Sequence, residues 1–243
     1  MKSYITINTS LEQLKYRESE PDNKLTSTAN VRNYVAGLEG IKVWDTLFIG
    51  VRGFFPIGKG RDTEKWTQAG IQNQTNDLEY GWTRVDGFIG LVEKSWLKLY
   101  GGLRWSEGKQ KRNNFVVSGI PQQASSTEII RSRSALIGMR GEGKVSSRWS
   151  LLYRMEGFIP LAVEVTNGAV PGFEATRKKG YSYELEGGIN YYYSNSIMLG
   201  LSGFGGRMHW EGSDWQAYGN KSVKWPENDT DYLGGSLKLD FAF

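Results

Sequence analysis

Apolar and polar residues alternate along much of the chain, and most regularly at its end. Leu237, Leu239 and Phe241 alternate with Lys238 and Asp240, and the chain stops on a phenylalanine. Successive side chains of a β-strand point to opposite faces, so this pattern predicts a strand with one apolar face and one polar face. An ending of this kind is typical of the closing strand of a bacterial outer-membrane β-barrel.

Ten segments show strand patterns of this kind. They are Tyr4 to Arg17, Thr28 to Gly40, Trp44 to Phe55, Tyr80 to Val92, Trp96 to Trp105, Glu128 to Gly141, Arg148 to Phe158, Gly180 to Tyr193, Ser196 to Trp210 and Asp231 to Phe243. Long connections precede the even-numbered segments, and short ones precede the others. This alternation predicts an all-β, transmembrane, antiparallel up-and-down barrel of about ten strands, with long extracellular loops and short periplasmic turns. A soluble Greek-key sandwich does not predict it.

Composition agrees with a barrel that crosses a membrane through strands. The 243 residues have a mean hydropathy of −0.48 and contain no apolar run of about 20 residues, the length that a membrane helix needs. Alternating strands keep mean hydropathy low even when they span a bilayer, because only every second residue faces lipid. The 31 glycines and 13% aromatic residues suit a curved sheet with aromatic girdles. We therefore expect residues 1–243 to form a single outer-membrane domain.

Aromatic residues collect at the predicted strand ends. A periplasmic girdle is predicted from Trp44, Trp96, Trp149, Tyr191, Tyr193 and Phe243. A second belt, beside the long loops, is predicted from Phe55, Trp105, Phe158, Tyr181 and Trp210. Two such belts, a strand length apart, would border an apolar band about 25 Å tall.

Charged residues fall on the faces that point away from lipid. Counting alternate positions along each strand predicts a lumen charge network of Arg52, Arg84, Asp86, Lys98, Arg104, Arg154, Glu156, Glu184, Glu186, Lys238 and Asp240. The numbers of positive and negative side chains in this network are nearly equal. A barrel of about ten strands leaves little interior space beyond side chains. The network therefore predicts a salt-bridged, largely plugged lumen more than an open pore.

The charge, the cysteine content and the first residues of the chain limit which partners and chemistry are expected. A formal net charge of +4, spread along the chain, makes nucleic acid an unexpected partner, and the absence of cysteine excludes disulfide and thiol chemistry. We expect neither a cofactor nor a metal site. The start lacks the apolar core of a signal peptide, so the numbering is expected to be that of a mature chain, or Met1 to have been added.

The architecture resembles the omptin family of outer-membrane proteases across nearly the whole chain, on the strength of its ten strands, five long loops, charged interior and terminal Phe243. That resemblance would imply an aspartate–histidine pair near the fourth long loop and two closely spaced aspartates near the second. The fourth loop, Phe158 to Asn167, contains neither aspartate nor histidine, and Asp62 and Asp77 near the second are far apart in sequence. No omptin catalytic residue is therefore carried over.

Three other groups are candidates for function. His209, the only histidine, lies near Glu211, Ser213 and Asp214 and is a candidate general base for a surface hydrolase, or else a polar residue at the membrane interface. Arg131 and Arg133 share parity with Ala135 and Ile137, so both are expected to point outward at headgroup level, where they are candidates for contact with lipopolysaccharide phosphates. A bulge that reversed the parity would instead direct them into the lumen.

Basic residues Lys109, Lys111 and Arg112 are expected to form a solvated rim. Trp66, Trp215 and Trp225 lie in long loops; they are candidate anchors for a protein partner, or else they pack together and close the barrel mouth.

The sequence thus favours a Gram-negative outer-membrane barrel whose partners are outer-membrane lipid and lipopolysaccharide. Its leading function is non-enzymatic, either surface binding through the extracellular loops or a structural role in the envelope. A narrow porin-like channel and a surface hydrolase using His209 are the alternatives. A soluble β-sandwich or lipocalin-like barrel would instead bury the apolar faces of Leu185, Leu199 and Leu237.

Overall fold

The computed structural model describes residues 2–94, 96–170, 172–177 and 179–243 as an all-β structure. The strands are β1 (Lys2–Glu20), β2 (Leu25–Val43), β3 (Leu47–Pro56), β4 (Gly60–Gln68), β5 (Ile71–Lys94), β6 (Leu97–Val117), β7 (Ile120–Gln122), β8 (Ser126–Lys144), β9 (Trp149–Asn167), β10 (Glu174–Arg177), β11 (Gly180–Tyr192), β12 (Ile197–Trp210), β13 (Gln216–Tyr218), β14 (Lys221–Val223) and β15 (Glu227–Ala242). Among the described residues, no helix is long and apolar enough to cross a membrane.

The sheet closes on itself. β1 pairs with β2 on one side and with β15 on the other, from Tyr4 opposite Ala242 to Ser19 opposite Glu227. Each strand pairing that the structure describes is antiparallel. Two of the ten positions in the wall are shared by two strands, because β3 and β4 both lie between β2 and β5, and β10 and β11 both pair with β9. The predicted ring of about ten antiparallel strands is confirmed.

Strands replace much of the predicted long loops. β5 begins at Ile71 rather than near Tyr80, and β6 continues to Val117 rather than ending near Trp105. The stretch from Lys59 to Glu79, interpreted as a loop, is mostly the β4–β5 hairpin. Its residues are polar on both faces, which hides the strand from a search for apolar alternation, yet backbone pairing still extends the wall. The barrel therefore rises beyond its apolar band.

An apolar band surrounds the middle of the barrel. Its members lie on the outward faces of neighbouring strands and are exposed, for example Ile7 on β1, Leu38 on β2, Val51 on β3 and Leu237 on β15. A contiguous exposed apolar belt requires lipid around it. The alternative of a soluble sandwich, which would bury these residues, is therefore wrong.

Aromatic residues lie below the band, around the short turns. Trp44, Trp96, Trp149, Tyr193 and Phe243 are exposed there, and the Trp149 ring lies 4.9 Å from that of Tyr191 between centroids. The six residues thus lie on the outward side of the strand ends. Charged outward residues such as Arg17 and Arg131 lie beyond the other edge of the band.

The prediction of a second aromatic belt beside the long loops was right for three of its five residues. Phe55, Trp105 and Tyr181 are outward and exposed, whereas Phe158 and Trp210 are buried inside the barrel, at 2% and 3% exposure. Alternation explains the correction, because Phe158 shares its face with the inward Glu156, two residues before it. Proximity to a strand end did not indicate which face the ring occupies.

Candidate functional site

Charged side chains cross the lumen at mid-height in what we call the central charge layer. Its members are Glu12, Arg52, Arg84, Asp86, Arg104, Arg154, Glu156, Glu184 and Glu186. Alternation of the strands directs all of them inward, and six strands contribute to the layer. Apart from Arg154, which is slightly exposed, each member is buried.

Asp86 and Glu156 hold two arginines from different strands. Arg52 Nε donates to Asp86 Oδ2 at 2.6 Å, and its Nη2 donates to Glu156 at 2.6 Å. Arg104 Nε donates to the other oxygen of Asp86 at 2.7 Å. Charge-assisted bonds of this kind are strong and directional, and a buried charge is tolerated only when it is paired. The layer therefore joins strands on different sides of the barrel through its interior.

Glu184 extends the layer to the opposite wall. Arg154 Nη2 lies 2.5 Å from Glu184 and 3.0 Å from Glu186, and Arg84 Nη1 lies 3.4 Å from Glu184. Arg84 also pairs with Glu12. Strands far apart in sequence are thus joined through the interior.

The structure places all eleven residues of the sequence-derived network on the inward side. Eight of them belong to the central charge layer, and a ninth, Lys238, pairs with Glu186. Lys98 and Asp240 lie lower, beside a polar chamber near the short turns. Residues that the sequence reasoning missed share this interior: Glu12, Glu39, Arg140 and Glu142. Counting alternate positions along each strand from a known inward residue would have predicted that each of these four residues points inward.

Apolar side chains fill the lumen above the charge layer. Leu14, Leu78 and Val163 are fully buried there, and the Trp82 and Tyr232 rings meet edge to face at 5.6 Å between centroids. The Trp82 ring also lies 4.5 Å from the guanidinium of Arg84. This packing closes the space between the central charge layer and the extracellular end.

A second charged group, the mouth cluster of Glu18, Glu64, Arg112 and Glu128, lies above the apolar packing. Arg112 lies 2.7 Å from Glu64, 3.2 Å from Glu18 and 4.0 Å from Glu128. One guanidinium thus faces three carboxylates. Arg112 was expected in a solvated rim, and that prediction was wrong: it is buried, because β6 continues the inward parity of Arg104.

Burial perturbs the pKa values of two acids in the mouth cluster. Burial raises the pKa of Glu18 to about 7, with Glu128 and Glu64 adding to the rise and Arg112 opposing it. Burial also raises the pKa of Glu128. These groups lie above the apolar band, level with the charged outer residue Arg17. Desolvation is the main cause of both shifts, whereas Arg112 holds the pKa of Glu64 below its usual value.

The β13–β14 hairpin and its flanks, residues 213–226, cover the mouth as a cap. Trp225 is 1% exposed, and its Nε1 donates to Glu128 Oε1 at 3.3 Å. Lys224 Nζ lies 2.7 Å from Glu20 and 3.1 Å from Asp22, and Trp215 Nε1 donates to Asp22 at 3.2 Å. The two tryptophans therefore have different roles, since Trp225 anchors the cap and Trp215 remains half exposed.

A cavity of ≈ 310 Å³, the mouth pocket, remains between the cap and the mouth cluster. Its walls include Trp66, Phe173 and Trp215, the acids Glu18, Glu20 and Glu128, and the basic residues Arg112 and Lys224. Trp66 Nε1 donates to Asn76, which fixes the ring beside Arg112. Aromatic faces and carboxylates lining one small cavity are a combination that binds cationic groups.

His209 lies outside the barrel wall rather than in the lumen. Its Nδ1 is 3.0 Å from Asp229 Oδ1 and 4.0 Å from Glu227 Oε1, both on the neighbouring β15. Its expected partner Glu211 instead lies 3.6 Å from Lys179. Arg207 also donates to Asp229 at 2.8 Å. The structure thus does not join His209 to Glu211, and it gives the histidine a partner that its sequence neighbourhood did not indicate.

Arg131 and Arg133 point outward from β8. Arg131 Nε donates to Glu107 and Arg133 Nη2 donates to Glu164, each at 2.8 Å. Both arginines remain exposed, and Lys109 lies on the outer face of the adjacent β6. They form a basic surface above the apolar band.

Asp62 and Asp77 do not form a carboxylate pair, although β4 and β5 are neighbours. Asp62 accepts a bond from the backbone N–H of Asn30, and Asp77 accepts one from Asn114 at 2.7 Å. Each carboxylate therefore accepts a hydrogen bond from a neighbouring strand of the barrel wall.

The fold has solved counterparts. The outer membrane protease OmpT from Escherichia coli superposes with a TM-score of 0.74 at 12% sequence identity, over 100% of this chain and 96% of that chain. The outer membrane protein OprG from Pseudomonas aeruginosa gives 0.41 at 8% identity, over 99% and 95%, and Ail, the attachment invasion locus protein of Yersinia pestis, gives 0.36 at 12%, over 98% and 99%. No protein-family model and no curated protein sequence matches the chain.

The closed antiparallel ring and its apolar band define a transmembrane β-barrel of the bacterial outer membrane. Its architecture is omptin-like. The likeness to OmpT concerns the fold.

Proposed function

We propose that this barrel is a non-conducting, non-enzymatic surface protein that binds a ligand with a cationic group in its mouth pocket. The observation that carries the proposal is the mouth cluster, in which, among the described residues, one guanidinium, that of Arg112, faces the carboxylates of Glu18, Glu64 and Glu128. A ligand cation would supply the missing charge. The rings of Trp66 and Trp215 would contact its apolar part.

The filled lumen supports the non-conducting part of the proposal. Ion pairs centred on Asp86 bridge the barrel, and apolar packing around Leu14 and Trp82 lies above them. A channel would require both layers to part. Planar-bilayer recordings of the refolded protein should show no conductance steps; regular steps would favour the porin-like alternative instead.

Binding at the mouth is tested with a matched pair of probes. Benzylammonium and benzyl alcohol have the same ring and differ in charge. We expect benzylammonium alone to change tryptophan fluorescence saturably, and Glu128→Gln to weaken its binding. Glu107→Gln, on the outer wall, is the control and should leave binding unchanged. Equal responses to both probes would refute a charge-selective pocket.

Lipopolysaccharide is the second partner, on the outer face. Arg131 and Arg133 are exposed above the apolar band, with Lys109 nearby, which suits bidentate contact with phosphates. Their present partners, Glu107 and Glu164, would have to be displaced or shared. Replacing both arginines with glutamine should reduce lipopolysaccharide co-purification, while Lys15→Gln, on the outer face of β1, should not.

A hydrolase would need His209. Asp229 orients the imidazole of His209, an arrangement that a general base would need, so the hydrolase alternative can be tested directly. A survey of ester and amide substrates with the refolded protein should give no hydrolysis that His209→Ala abolishes. Activity lost specifically in that variant would replace the binding proposal.

A further inference from the structure

The lipid-facing wall carries an apolar depression across β1, β2, β3, β5 and β6, which we call the outer groove. In register, Gly40 lies opposite Val51, and Val51 lies opposite Gly87. Both glycines face outward, and a Cβ built on either would meet no atom within 4 Å. The missing side chains leave a cavity of ≈ 890 Å³ on the surface of the barrel.

Large apolar side chains border this groove. Ile5, Ile49, Ile89 and Leu103 are exposed along it, and Phe243 lies at its lower end. In register, Ile5 lies opposite Gly40 and Leu103 lies opposite Gly87, and the exposed Val51 lies between the two glycines. Each glycine therefore leaves a gap with an apolar side chain on either side and a floor of backbone. Its shape suits a flexible hydrocarbon chain.

Lys42 lies at the lower end of the groove. It is opposite Ser3 on β1 and Ile49 on β3, and it is one outward position below Gly40. Its Nζ lies 5.5 Å from the centroid of the Trp44 ring, a member of the periplasmic aromatic group. A lysine at this level keeps its ammonium among the headgroups, where phosphates lie.

A hydrocarbon chain gains nothing from leaving one apolar environment for another, so specificity here must come from contacts. A chain in the groove touches protein on three sides instead of one, and each close contact adds dispersion energy. The ammonium of Lys42 adds attraction for an anionic headgroup. We propose that the outer groove binds one phospholipid of the periplasmic leaflet, with its two acyl chains in the gaps over Gly40 and Gly87, on either side of Val51, and its phosphate at Lys42.

Native mass spectrometry tests this proposal with the full chain refolded in detergent micelles containing equal amounts of phosphatidylglycerol and phosphatidylethanolamine. The unchanged protein should retain one phospholipid, with phosphatidylglycerol preferred. Gly87→Leu fills the groove and should remove the adduct of both lipids. Lys42→Gln should keep an adduct but reduce the preference for phosphatidylglycerol about fivefold, the effect of one lysine near a membrane surface.

Gly187→Leu is the matched control. Gly187 also faces outward on β11 with open space around it, but it lies outside the groove. Its variant should retain the lipid. Heat-modifiable gel migration verifies folding, and Gly40→Leu replaces Gly87→Leu if the latter does not fold. The proposal is overturned if the unchanged protein retains no single lipid, or if the groove variants and Gly187→Leu behave alike.

Discussion

The guanidinium carbon of Arg104 lies 3.6 Å from the centroid of the Phe158 ring. The ring covers one face of an arginine whose edge is bound by Asp86. Phe158 packs in turn with Phe48, Phe88 and Tyr100. An aromatic group and an ion-pair group are therefore one packed unit, which accounts for the inward position of Phe158.

This contact gives the first prediction. Phe158→Leu should destabilise the barrel, because it leaves a cavity and uncovers the Arg104 guanidinium; a loss of about 1 to 3 kcal/mol is expected. Urea unfolding in lipid vesicles measures it. Phe55→Leu makes the same change on the lipid-facing side and should cost less. Equal losses would contradict the cation–π packing.

Asp86 gives the second prediction. It is fully buried and pairs with both Arg52 and Arg104, so Asp86→Ala leaves two buried arginines short of negative charge. Removing one partner of a buried pair costs about 3 to 5 kcal/mol. The same unfolding assay should show a loss of that size. Glu164→Ala breaks the exposed pair with Arg133 and should cost at most about 1 kcal/mol; a similar loss in both variants would refute the structural importance of the layer.

Glu18 gives the third prediction, on pH. Its folded-state pKa, about 7, is above its ordinary value, so the protonated form stabilises the folded mouth. That contribution is complete below the unfolded pKa and is lost as pH rises through about 7. A ligand cation favours the deprotonated form, so benzylammonium affinity should rise across the same range. Glu18→Gln should flatten the rise, whereas Glu79→Gln, on the outer face, should not.

Much of the barrel could be predicted from alternation alone. The terminal strand, the alternating connections and the inward parity of Arg52 and Glu184 each depend on neighbouring residues, and such local signals are sufficient. The strand extensions around the mouth of the barrel were harder to predict. Residues such as Asn76 and Gln110 continue β5 and β6 with polar side chains on both faces, so no apolar period marks them as strand.

The partners of His209 and Arg112 also escaped sequence reasoning, for a different reason. Asp229 is 20 residues from His209, and Glu18 is 94 residues from Arg112. Strand pairing and barrel closure bring the two members of each pair together, and these long-range contacts leave no pattern among neighbouring residues of the sequence. Proximity in sequence suggested Glu211 for the histidine and open solvent for the arginine, and the structure gives each a different neighbour.

The cap over the mouth gives the last prediction. Trp225 is its buried anchor, so Trp225→Ala should release residues 213–226 from the barrel. Truncating a buried tryptophan costs about 3 kcal/mol, which raises the open population roughly a hundredfold. Ala175, fully buried beneath the cap, reports opening when it is replaced by cysteine, because the natural chain contains none.

A water-soluble maleimide should label Ala175→Cys slowly in the intact protein and much faster with Trp225→Ala. Thr28→Cys, exposed on the outer wall, should label at the same rate in both backgrounds. Trp215→Ala should have a smaller effect, since that ring is half exposed and its described contacts are with Asp22 and Lys224. Unchanged labelling of Ala175→Cys would show that the ion pairs of Lys224, rather than Trp225, hold the cap closed.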